Sequence, residues 1–90
     1  MEKAIRQIIQ DGENSLVEFK TPDVSPQSLA EEISAFANVR GGEIFIGISD
    51  DGRVSGIDKA RIKNLEEAVM NICRNNILPP LIPMFETTTV

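Results

Sequence analysis

The segment at residues 43–49 has the strongest strand pattern in the chain, and it limits the folds the chain can adopt. Its sequence, E-I-F-I-G-I-S, is rich in β-branched and aromatic residues, which favour strands. A strand's period of two divides it between two sheet faces, with Ile44, Ile46 and Ile48 on one and Phe45 and Gly47 on the other. Two glycines precede the segment and D-D-G follows it, so turns bound the strand on both sides.

Helical patterns lie on both sides of this strand. Apolar residues three and four apart predict a short helix over residues 2–10 and two longer ones. The first long helix begins at the Ser25 cap and Pro26 and ends before the glycine pair. The second begins at the Asp58 cap and ends at residues 75–76. Shorter strands are predicted at residues 16–20 and 53–55, the latter returning from a D-G turn, with a further β-prone stretch at 84–90.

This order of elements predicts a small α+β fold. A mixed sheet of three or four strands packs against the two main helices, and residues 1–90 form a single domain. The last predicted strand has no return partner, so we expect a C-terminally truncated domain with an open sheet edge. A second copy of the chain could complete that edge, which makes homodimerisation or scaffolding one hypothesis for its function.

The composition excludes several classes of site. The chain has one cysteine and no histidine, which rules out an internal disulfide, ordinary zinc sites and any histidine-dependent catalysis. No N-terminal segment has a basic flank followed by an apolar run, so the sequence predicts a cytoplasmic protein without a membrane partner. No G-K-S/T phosphate loop occurs, so we expect no ATP site in this chain.

The charge is unevenly distributed. The net charge is −5, yet residues 1–52 carry −6 and residues 53–90 carry +1. A basic cluster in the second part is opposed only by Asp58, and it comprises Arg53, Lys59, Arg61 and Lys63. Such side chains can neutralise phosphates, although a solvated helix face is the commoner meaning of a charge run. The absence of tyrosine and tryptophan argues against base-specific stacking.

A second candidate site consists of carboxylates near a lysine. Glu18 and Lys20 would share one face of one strand, and Glu13 precedes that strand. Asp50 follows a separate strand, so it could meet Glu18 only if the two strands are neighbours. Carboxylates with a lysine can hold Mg²⁺ or Mn²⁺ and stabilise charge at a phosphate. A surface ion pair between Glu18 and Lys20, with Asp50 in a turn, explains the same residues. Arg40, before the two glycines, could either contact a phosphate or only follow the helix end.

These motifs, taken in order, resemble the AlbA_2 domain, also described as the Schlafen-type or divergent-AAA DNA-binding domain. The matching segments are E-N-S-L-V-E-F-K (13–20), I-S-A-F-A-N-V-R-G-G (33–42), I-G-I-S-D-D-G (46–52), V-S-G (54–56), I-L-P-P (77–80) and I-P (82–83). Each segment alone is weak, but the combination is specific and spans nearly the whole chain.

The resemblance implies an α+β fold related to Alba-type nucleic-acid-binding domains. Bacterial and archaeal members usually lie at the N-terminus of longer proteins described as transcriptional regulators or helicase-like proteins, whereas a related domain of the Schlafen branch cleaves structured RNA with three carboxylates. The motif positions assign those carboxylates to Glu13, Glu18 and Asp50 and the motif lysine to Lys20. Schlafen enzymes use a duplicated domain and this chain has one copy, and the family's further strands are missing after Val90.

Two functional hypotheses follow from the resemblance. The first is a non-catalytic nucleic-acid-binding domain of a bacterial or archaeal transcriptional regulator, without a required cofactor. Its phosphate contacts would be Lys20, Arg40, Arg53, Lys59, Arg61 and Lys63. The second is a Mg²⁺- or Mn²⁺-dependent endonuclease, with Glu13, Glu18 and Asp50 as metal ligands and Lys20 stabilising the transition state. The single copy of the domain favours the first hypothesis over the second, whereas a nucleic-acid-binding domain is usually basic and the net charge here is −5, which fits the dimerisation hypothesis better.

Overall fold

The computed structural model describes residues 2–89 and confirms the α+β class. Three helices and two strands follow one another as α1 (Glu2–Asp11), β1 (Val17–Lys20), α2 (Pro26–Ala37), β2 (Glu43–Ile46) and α3 (Lys59–Asn75). None of the described helices has the length and apolar character needed to cross a membrane. The two strands are parallel, so α2 is the crossover helix between them.

Local signals set the N-termini of the two long helices where the sequence predicts them. The Ser25 hydroxyl accepts a hydrogen bond from the Ser28 N–H at 3.1 Å, and Pro26 begins α2. The Asp58 carboxylate accepts one from the Ala60 N–H at 3.2 Å and caps α3. Asn38 caps the C-terminus of α2, three residues earlier than the glycine pair indicates.

The core has one apolar cluster on each face of the sheet. Between the sheet and the two long helices lie the buried residues Leu29, Ile33, Ile72, Cys73 and Ile77, with Ile44 and Ile46 of β2 packed against them. On the other face the buried residues Val17, Phe19 and Ile48 pack against Ile8 and Ile9 of α1 and against Phe45. The Phe19 and Phe45 rings meet edge to face, 6.3 Å apart.

The predicted face of Ile48 is wrong: this residue packs with Phe45 rather than with Ile44 and Ile46. The N–H groups of Gly47 and Ile48 both donate to the Lys20 carbonyl, at 2.7 and 3.3 Å. Two successive amides on one carbonyl interrupt the alternation as a bulge does, so the next side chain changes face. Gly47 adopts a φ of 109°, which glycine tolerates far better than other residues.

The sheet is smaller than the predicted mixed sheet. Within residues 2–89 it contains two strands, and the expected returning strand is reduced to a single antiparallel bridge between Ile48 and Val54. Residues 81–89 have no regular secondary structure, and the predicted last strand ends at Val90, outside the described residues. The outer edge of β2 has no neighbouring strand in the described part of the chain, and homodimerisation through this edge stays a prediction.

Candidate functional site

The carboxyl ends of the two parallel strands open onto a cavity of about 520 Å³. In open parallel sheets this end of the strands is where ligands usually bind. The cavity wall comes from the end of β1, the loop that follows it and the turn after β2, and comprises Phe19, Lys20, Thr21, Val24, Ser49, Asp50 and Asp51. The structure therefore brings Lys20 and Asp50, which the motifs single out, to one cavity.

Lys20 lies between two carboxylates. Its Nζ is 3.5 Å from Glu18 Oε1, on the same strand face, and 3.7 Å from Glu32 Oε1 of α2. The Lys20 side chain is 20% exposed. The period of two predicts the Glu18 contact, whereas the Glu32 contact requires α2 to cross over the sheet and is not predicted. The predicted ion pair between Glu18 and Lys20 is thus present, and Glu32 is an additional acidic partner of Lys20.

Glu13 has a structural contact of its own. Its Oε2 accepts a hydrogen bond from the Phe19 N–H at 2.9 Å. Phe19 is buried in β1, and its amide is not part of the ladder to β2, so Glu13 satisfies a donor on the free edge of the strand. The same carboxyl group is close enough to Glu18 to help raise the pKa of that residue. Two of the three motif carboxylates are therefore neighbours at the open edge of β1.

The pKa of Glu18 is raised above the ordinary value for glutamate. Desolvation by burial is the largest cause, followed by the hydrogen bond with Glu13 and the negative charge of Glu32, and the Lys20 ammonium opposes them. The group around Lys20 therefore holds more negative charge than one lysine neutralises. A cation approaching this group would be attracted to it.

We expect the pKa of Glu18 in the folded chain to be higher than the ordinary glutamate value. The contribution of Glu18 to the free energy of unfolding should therefore fall as the pH rises from the unfolded-state pKa through the folded-state pKa. A raised folded-state pKa means that the native chain binds more protons than the unfolded chain between the two values, so Glu18 favours folding most at the acidic side. Carboxyl-detected NMR titration, with pH-dependent unfolding of wild type and Glu18→Gln, measures both. Glu31→Gln, a neighbouring exposed change, should leave the Glu18 titration unmoved; an ordinary or lowered Glu18 pKa would contradict the expectation.

The turn after β2 forms the opposite wall of the cavity. Asp51 accepts hydrogen bonds from the Ser49 hydroxyl and from the Arg53 N–H, the latter at 3.1 Å. The Ser49 hydrogen bond is the main reason that the pKa of Asp51 is lowered. Asp50 is exposed at the same turn. The predicted D-G turn is present here. Its hydrogen bonds fix the Asp51 carboxylate, so Asp50 is the less constrained of the two carboxylates.

The predicted basic residues lie at three separate places. Arg53 Nη2 is 3.9 Å from Asp51, and Arg61 Nη2 donates to the Pro22 carbonyl at 2.8 Å, so both are next to cavity-lining residues. Lys59 and Lys63 are one helical turn apart, and Arg61 points to the other side of α3. Arg40 precedes β2 and is at the opposite end of the strands, roughly 13 Å from their carboxyl ends.

A family model described as "Schlafen, AlbA_2" matches residues 13–90. The chain belongs to the Schlafen AlbA_2 family. This confirms the resemblance drawn from the motifs and supports a function related to nucleic-acid binding. The comparisons found no matching curated protein and no matching solved structure.

In this AlbA_2 domain, the described side chains include no group of three or more acidic or cysteine residues arranged to hold a metal ion. Glu13 and Glu18 are adjacent, and Asp50 reaches the same cavity as Lys20 from another loop. The three-carboxylate metal site accordingly stays a prediction. Glu32 is the site residue that the sequence analysis missed. It could have been identified from its position next to the buried Ile33, on the helix that crosses between two parallel strands.

Proposed function

We propose that this AlbA_2 domain binds nucleic acid by its phosphates at the carboxyl ends of β1 and β2, as the DNA-binding part of a bacterial or archaeal transcriptional regulator. The observation that carries the proposal is the position of three cations from separate parts of the chain around one cavity. Lys20 lines the cavity, Arg53 contacts its Asp51 wall, and Arg61 is bonded to the loop that forms its other side.

The arrangement suits phosphates better than bases. Arginine and lysine side chains supply charged donors that neutralise phosphates without reading sequence. The cavity wall includes no exposed aromatic ring, since its Phe19 is 1% exposed and belongs to the core. Asp50 and Asp51 share the wall, so binding depends on direct contacts of the three cations with phosphates, and such contacts weaken as the salt concentration rises. We therefore infer backbone recognition with little preference among base sequences.

The test compares two double variants of equal charge. Arg53→Gln/Arg61→Gln removes the two cations beside the cavity, and Arg40→Gln/Arg74→Gln removes two from elsewhere. Arg40 lies at the other end of the strands, and Arg74 is about 20 Å along α3 from Arg61. Gel-shift titration with labelled duplex DNA, single-stranded RNA and hairpin RNA should give the larger loss of affinity for the first variant. Equal losses would contradict binding at the cavity.

A second function is favoured by one specific observation: Glu13 is close enough to Glu18 to help raise its pKa, and Glu18 lies 3.5 Å from Lys20. A divalent cation would offset the mutual repulsion of these carboxylates, and Asp50 would supply the third ligand after movement of its turn. With Mg²⁺ or Mn²⁺ bound there, the domain would be an endonuclease in which Lys20 faces the phosphate.

Cleavage of hairpin RNA distinguishes the two functions. The nuclease hypothesis predicts products with Mn²⁺, none with EDTA, and none with Glu18→Ala under either condition. Glu31→Ala removes the same charge from the exposed side of α2 and should cleave as wild type does. Salt-sensitive binding with intact RNA in every lane would support the binding function alone.

A further inference from the structure

Lys20 is already held by carboxylates before any phosphate arrives. Glu18 lies two residues before it on the same strand face, and Glu32 reaches it from the crossover helix. Glu13 adds a third carboxylate next to Glu18. The Lys20 ammonium has three donors and faces two carboxylates, so one donor remains for a phosphate, but Glu18 and Glu32 repel that phosphate and compete with it for the lysine charge. A phosphate therefore binds Lys20 more strongly when one of these carboxylates gives way or is neutralised.

We propose that Glu32 is a positioning residue that competes with the phosphate for Lys20 and so sets the affinity of the domain for nucleic acid. This inference rests on the proposed nucleic-acid-binding function and adds to it a residue outside the family motifs. Glu32 acts through Lys20 and does not itself contact the phosphate.

Glu32 is the carboxylate most easily displaced. Glu18 lies two residues before Lys20 on the same strand and is close enough to Glu13 for that residue to help raise its pKa, and the Glu13 carboxylate accepts a hydrogen bond from the Phe19 amide. Glu32 has the longer ion pair with Lys20, 3.7 against 3.5 Å, and its side chain is more exposed, 30% against 24%. Rotation of the Glu32 side chain leaves the sheet undisturbed, whereas moving Glu18 alters the hydrogen bonding at the free edge of β1. A 3.7 Å ion pair between two partly exposed side chains is weak enough to exchange with a phosphate.

The experiment is a double-mutant cycle read by fluorescence anisotropy with a labelled DNA duplex at low salt. Glu32→Gln should bind roughly fivefold more tightly than wild type, the effect of removing one partly exposed ion-pair partner. Glu31→Gln, with the same charge change one residue away on an exposed position, should change the Kd by less than about twofold. In a Lys20→Met background, the gain from Glu32→Gln should shrink to the size of the Glu31→Gln effect.

The outcomes separate this inference from the function on which it rests. Wild-type binding with equal effects of Glu32→Gln and Glu31→Gln, or a gain that persists without Lys20, would overturn the role of Glu32 alone. No binding by wild type or by Glu32→Gln would overturn both proposals. Lys20-dependent binding seen only after Glu32→Gln would support the competition directly. The Glu18 NMR titration supplies a readout without nucleic acid. Glu32→Gln should lower the Glu18 pKa, and an unchanged Glu18 pKa would contradict the position of Glu32 beside the Glu18–Lys20 pair.

Discussion

Replacing Gly47 with alanine should destabilise the domain by about 2–4 kcal/mol. The backbone at this residue has a φ of 109°, which an L side chain rarely adopts. An added Cβ would also lie 3.1 Å from the carbonyl carbon of Gly56 and 3.2 Å from its oxygen, and these backbone atoms cannot rotate away. Gly47 lies where the side chains change face, so that Ile48 packs in the buried cluster with Val17 and Phe19. Strain at Gly47 would therefore disturb the packing of that cluster. Urea-induced unfolding measures the loss.

Gly41→Ala is the matched control for this prediction. Gly41 has a similar φ of 90°, but a Cβ there meets no atom within 4 Å. The control therefore carries the backbone strain without the contact, and we expect it to cost about 1–2 kcal/mol. Equal losses for the two variants would mean that the approach of Gly47 to Gly56 does not matter for stability.

Replacing Lys20 with methionine should weaken the binding of duplex DNA by about tenfold at low salt, the effect of losing one well-placed charged contact. Lys20 is the cation that lines the cavity itself, at the end of β1. Its side chain is only 20% exposed, and methionine preserves most of that packing while removing the charge. Anisotropy titration gives the Kd, and a thermal melt confirms that the variant is folded.

Lys63→Met controls for the loss of one positive charge. Lys63 lies one turn from Lys59 on α3, on the side of the helix away from Arg61 and its contact with Pro22. We expect the Lys63 variant to lose about twofold or less. Lys20→Arg should retain most of the affinity because it keeps a cation at the cavity. Similar Kd values for the Lys20 and Lys63 methionine variants would contradict a phosphate site at this cavity.

The parts of the fold that the sequence predicts well depend on local signals. Ser25 and Asp58 cap helices because their side chains reach amides two or three residues away, and this is visible in the sequence itself. The face of Ile48 and the number of strands depend on tertiary contacts. Two amides donate to the Lys20 carbonyl, and Gly47 approaches Gly56, and these contacts join separate segments of the chain. The period-two pattern in the sequence does not contain these contacts, so it predicts a strand that continues beyond the residue where the strand ends in the structure.

The candidate site follows the same division. Glu18 and Lys20 are two apart on one strand, so the sequence predicts their contact, and the structure has it at 3.5 Å. Glu32 reaches Lys20 only because α2 crosses between parallel strands, and Glu13 is bonded to the Phe19 amide six residues away. The basic run predicts one patch, but its residues occupy different sides of α3 and a separate turn. A count of charges along the sequence contains no information about the directions in which these basic side chains point.

The salt dependence of DNA binding by the wild-type domain tests the central claim most directly. Three phosphate contacts, from Lys20, Arg53 and Arg61, predict that the Kd for a labelled duplex rises roughly 40-fold between about 50 and about 200 mM monovalent salt. The measurement needs no variant and no assumption about base sequence, and hairpin RNA in parallel compares the two nucleic acids. A Kd that rises steeply with salt, with a slope near three contacts, is the result that the phosphate site predicts. A Kd independent of salt, or no binding at the lower salt concentration, would contradict it.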